Sequence, residues 1–171
     1  MTIIKNPHKL SEVELYQTLT KIVEMPEKRL HRMLNDKEID EVFLLNLCER
    51  MPHFLTTTLV KITEALMLQK DYFRGHAIWH PLEVELHRRR NNLNNSQLAS
   101  VVHCLGATGN ATRFFFDELE ETIIDSPIPI ETENLLKLLQ GYSLVDQGTP
   151  VFYSHIGDVV MKRGLDKLDP V

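Results

Sequence analysis

Two consecutive stretches of 37 residues, beginning at Gln97 and Asn134, overlay without a gap. At this offset Leu98 falls on Leu135, Val101 on Leu138, Val102 on Leu139 and Leu105 on Tyr142. Further along, Phe115 falls on Phe152, Phe116 on Tyr153, Leu119 on Ile156 and Ile123 on Val160. Within each set the steps are three or four residues, the spacing of one face of an α-helix. The unit is therefore helix, turn, helix, and it occurs twice. A unit of this kind cannot bury its apolar face alone, and a period of 20–50 residues is the mark of an α-solenoid, in which each helix pair covers its neighbour. The expected fold is all-α: a single right-handed α-solenoid of about eight helices, in three to four pairs, filling residues 1–171 as one domain. Residues 1–10 read as an N-terminal arm and 164–171 as a C-terminal tail.

Upstream, local signals mark the other helices. Ser11-Glu12-Val13-Glu14 is a capping box, in which the Ser11 hydroxyl accepts from a first-turn amide and Glu14 reaches back. Leu15, Leu19, Ile22 and Val23 follow on one face, and Pro26 closes that helix or opens the next. Glu27–Leu34 reads as a short basic helix, and Asn35–Glu38 as a cap for a helix with Ile39, Val42, Phe43 and Leu47 inward. Leu55–Leu68 carries Leu59, Ile62 and Leu66, and its partner carries Ile78, Trp79, Leu82 and Leu86. Pro81 should kink this partner or lie at its start. Asn94 or Asn95 caps the next helix, Thr149-Pro150 suits a cap followed by a first helical position, and Ser126-Pro127-Ile128-Pro129 is a stiff connector.

Charge bounds the function. The chain is 43% hydrophobic and 25% charged, as soluble globular proteins are, and no apolar run reaches membrane-spanning length. Residues 1–90 hold 14 Lys/Arg against 13 Asp/Glu, whereas residues 91–171 hold 5 against 11. A second half with net charge −6 repels phosphate backbones. Cys48 and Cys104 both fall among apolar residues on expected helices, so two buried, reduced thiols are expected. Met1–Leu10 carries neither a secretory apolar core nor transit-peptide character.

Degenerate helical pairs of about 37 residues, with a Leu-rich first helix and an aromatic-bearing second helix, resemble the heptatricopeptide-type repeats of organellar proteins and the related pentatricopeptide and octotricopeptide repeats. The resemblance covers Leu55–Arg163 and extends loosely to Ser11–Met51. It rests on period and apolar spacing, with no invariant signature. It implies a mitochondrial location, with a cytoplasmic one otherwise. It also implies either RNA binding or a structural role in an organellar ribosome or respiratory assembly.

Candidate sites are few. His76, His80, Glu83 and His87 step by four, three and four, so on a continuous helix they share a face, and His and Glu at that spacing can bind zinc. The HExxH pattern is absent and Pro81 interrupts the geometry, so no metal and no cofactor is expected, with His80, Glu83 and His87 as the one group worth checking. Arg88, Arg89 and Arg90 are the expected partner-docking residues, since three consecutive arginines exceed what a helix dipole needs and Arg suits bidentate contact with carboxylate or phosphate. The alternative is that Glu83, Glu85 or an acidic helix pairs with them within the chain. Lys28, Arg29 and Arg32 have the same two readings. Phe114, Phe115 and Phe116 are read as core rather than as base-stacking rings, and Gly106–Asn110 lacks what a nucleotide loop requires. His103 and Cys104 are adjacent and diverge on a helix. No catalytic set emerges. The expected function is a non-catalytic subunit that docks other proteins in a respiratory or ATP-synthase type complex. The alternative is an RNA-binding helical-repeat protein, such as a mitochondrial ribosome subunit.

Overall fold

The computed structural model describes residues 7–26, 28–30, 42–126 and 130–163, and every regular element among these is helical. No described helix is long and apolar enough to cross a membrane. The chain divides into two compact units, Met1–Arg88 and Arg89–Val171. Expected features at Arg32, Leu34, Asn35–Glu38, Ile39, Pro127–Pro129, residues 1–6 and residues 164–171 lie outside the described residues.

In the first unit a short 3-10 turn, Pro7–Lys9, leads into α1 (Glu12–Val23). Its Ser11 capping box forms as expected, and Leu15, Leu19, Ile22 and Val23 are buried. A π-helical turn over residues 42–44 enters α2 (Leu45–Arg50), which ends in a 3-10 turn containing Pro52. Phe43 and Leu47 are buried as expected, but Val42 is 41% exposed. The wider π turn rotates the face relative to a regular 3.6-residue repeat, so Leu44 takes the inward place instead.

The next helix, α3 (Thr56–Met67), packs between α1 and the later α5, with Leu59, Ile62 and Leu66 buried. Its N-cap position is Leu55, whose side chain cannot accept a hydrogen bond. The Glu12 carboxylate of α1 instead accepts from the backbone N–H of Leu55 itself at 2.9 Å. One short helix, α4 (Lys70–Phe73), was not anticipated from periodicity, being a single turn. It places Phe73 so that its carbonyl accepts from the Trp79 indole N–H at 2.7 Å. Helix α5 (Trp79–Arg88) begins at Trp79, so Pro81 lies in the first turn, where a missing N–H costs no helical hydrogen bond.

The second unit opens with a 3-10 turn, Arg90–Asn92, followed by α6 (Asn95–Thr108). Asn94 is the cap, in a reciprocal box with Gln97, and Gly109 ends the helix in the left-handed region at φ 63°. Helices α7 (Arg113–Ile124), α8 (Thr132–Leu144) and α9 (Pro150–Arg163) follow. Thr149 caps α9 by accepting from the Phe152 N–H, and Pro150 is its first residue.

The most extensive helix–helix interface among the described residues joins α6 to α8, the first helices of the two 37-residue units. They meet at glycines. A Cβ added to Gly106 would lie 2.7 Å from Gly141 Cα, and one added to Gly141 would lie 2.5 Å from the Val102 carbonyl oxygen and 2.6 Å from its Cγ1. Each distance is below what carbon atoms tolerate, so both helices need glycine here. The second helices, α7 and α9, also touch.

Behind this crossing Phe116, Tyr142 and Phe152 form an aromatic row, with ring centroids 5.2 Å and 4.2 Å apart, and the Tyr142 hydroxyl donates to the Phe116 carbonyl at 2.9 Å. Leu98, Leu135, Val101, Leu138, Phe115, Phe152, Leu119 and Ile156 are all buried, as the repeat register requires.

Three pairs are not equivalent. Val102, Phe116 and Ile123 are buried, but Leu139 and Val160 are half-exposed and Tyr153 is 42% exposed. The reason lies in the layering: Phe116 is covered by Tyr142 of the following unit, and among the described residues no further unit covers Tyr153. Its hydroxyl instead donates to the Gln147 carbonyl at 2.8 Å, while its ring packs on Gly148.

Two substitutions test this crossing. Gly141→Ala is expected to lower stability by about 1–3 kcal/mol through overpacking, despite alanine's higher helix propensity. Gly157→Ala in α9, where an added Cβ meets nothing within 4 Å, is expected to raise it by about 0.5–1 kcal/mol. Urea midpoints check both, and a stabilised Gly141→Ala protein would contradict the packing.

Candidate functional site

The histidine group does not assemble. His76 lies before α5, and its Nδ1 accepts from the Ile78 backbone N–H at 3.1 Å. Its ring stands edge-on to Phe73, with centroids 5.6 Å apart. His80 is exposed, Glu83 is buried and His87 is half-buried, which puts His80 and Glu83 in opposite environments on one short helix. Among the described residues no group of three or more His, Cys, Asp or Glu side chains is placed to hold a metal ion.

The arginines divide between the two units. Arg88, in the first, donates from Nε at 3.1 Å and from Nη2 at 2.7 Å to Glu85 Oε2, and its Nη2 lies 3.4 Å from the Pro52 carbonyl. Glu85 is nearly covered, while the Arg88 side chain remains 60% exposed. Arg90, in the second, forms an ion pair of 2.7 Å with Glu118 on α7. Pairing within the chain, the alternative to docking, is thus present for Arg88 and Arg90. Lys28 and Arg29 are exposed.

Beside Arg90 and Glu118 lies a cleft of about 370 Å³, whose walls include Asn91, Asn94, Glu121 and Asp125. Its lining mixes polar and apolar groups: Leu93 and Leu98 also contribute, and Glu118, Glu121 and Asp125 supply its carboxylates.

Other candidates resolve into structural roles. Phe115 and Phe116 are core, but Phe114 is 61% exposed on the outer side of α7. Gly106 belongs to the α6–α8 crossing and Gly109 to a helix end. Cys104 is buried and Cys48 half-buried, both as free thiols, and burial pushes the Cys48 thiol up to about 11. His103 is half-exposed beside buried Cys104, so the two diverge as helical geometry demands. Burial, and then the neighbouring Lys137 of α8, push the His103 pKa down.

One polar cluster was missed from sequence. Glu120 on α7 is 5% exposed, yet its carboxylate accepts from the Thr149 backbone N–H at 3.0 Å and from the Thr149 hydroxyl. A buried carboxylate requires such partners. Here it satisfies the start of α9, where a negative charge also complements the helix dipole. The signal available in the sequence is slight: Glu120 stands between the apolar positions Phe116 and Ile123 but within an acidic run, Glu118 to Glu121.

No family model matches the chain, and no curated protein or solved structure matches it.

Glu120→Ala is expected to cost about 1–2 kcal/mol, the range of a lost helix cap, with the loss concentrated in α9. Denaturant melts together with hydrogen exchange on α9 amides check this. Unchanged α9 protection would mean that Thr149 alone suffices as the cap.

Proposed function

We propose that this protein is a non-catalytic structural subunit that docks other proteins within a larger assembly, of the respiratory or ATP-synthase type, in mitochondria. The observation that carries this reading is the packing of one helix pair on the next through α6 and α8. Stacking of this kind, continued as an α-solenoid, produces extended surfaces suited to holding partners. The resemblance to organellar helical repeats supports the location. Charge favours protein over RNA as the partner, since residues 91–171 carry net −6 and RNA-binding surfaces need Lys/Arg. Arg88, whose side chain is 60% exposed, is the proposed contact for an acidic partner group on the first unit.

The test is purification of the tagged full chain from native cells under cross-linking, with the bound proteins and nucleic acid identified. A defined set of protein subunits, unchanged by ribonuclease, is expected. Recovery that depends on RNA, together with tight RNA binding by the purified chain that falls steeply with salt, would overturn the reading in favour of an RNA-binding repeat protein.

A further inference from the structure

We draw no further inference here: the strongest candidate, the cleft in the second unit between the Arg90–Asn92 turn and the Glu118, Glu121 and Asp125 side of α7, rests on a cluster of acidic side chains with no second observation that points to a ligand.

Discussion

The second unit depends on one close approach of backbones, where Gly106 of α6 meets Gly141 of α8. Ridge-into-groove packing normally holds helix axes apart by the width of the side chains between them. Removing both Cβ atoms at the crossing lets main chain touch main chain, and Val102 then packs directly on Gly141. Two glycines inside helices each cost helix propensity, by roughly 1 kcal/mol relative to alanine. That cost is offset by the apolar area sealed along the interface, where Leu98, Val101, Leu135 and Leu138 are all buried. The aromatic row of Phe116, Tyr142 and Phe152 is then held at the spacing its rings need, and burial pushes the Tyr142 hydroxyl pKa upward.

Helix ends in both units are completed by glutamates from other helices. Glu12 of α1 serves the start of α3 at Leu55, and Glu120 of α7 serves the start of α9 at Thr149. These bonds tie elements that are distant in sequence, and they do so at positions where local side chains either cannot cap or benefit from a second acceptor. Intrachain glutamates also hold the arginines: Glu85 pairs with Arg88 and Glu118 with Arg90.

Much of the fold was legible because apolar spacing and caps are local. The Ser11 box, the Asn94 cap, the Thr149-Pro150 start and the aligned leucines all follow from residues a few positions apart. The Gly106–Gly141 crossing was not legible, since the two glycines are 35 residues apart and so fall out of the 37-residue register. The long-range caps were hidden for a related reason: nothing near Glu12 or Glu120 in sequence indicates which amide it serves. The register also treated Tyr153 as a second Phe116, when coverage by the next layer, and not the residue itself, decides burial. At the candidate sites, spacing placed His80, Glu83 and His87 on one helix but carried no information on which of them faces the core.

The central claim, that the two repeat units are joined through a glycine crossing of α6 and α8, is tested most directly by nuclear Overhauser contacts in the assigned protein. The account predicts cross-peaks from the Gly141 α-protons to the Gly106 α-protons and to the Val102 methyls. Full assignment of these resonances with neither cross-peak present would contradict it.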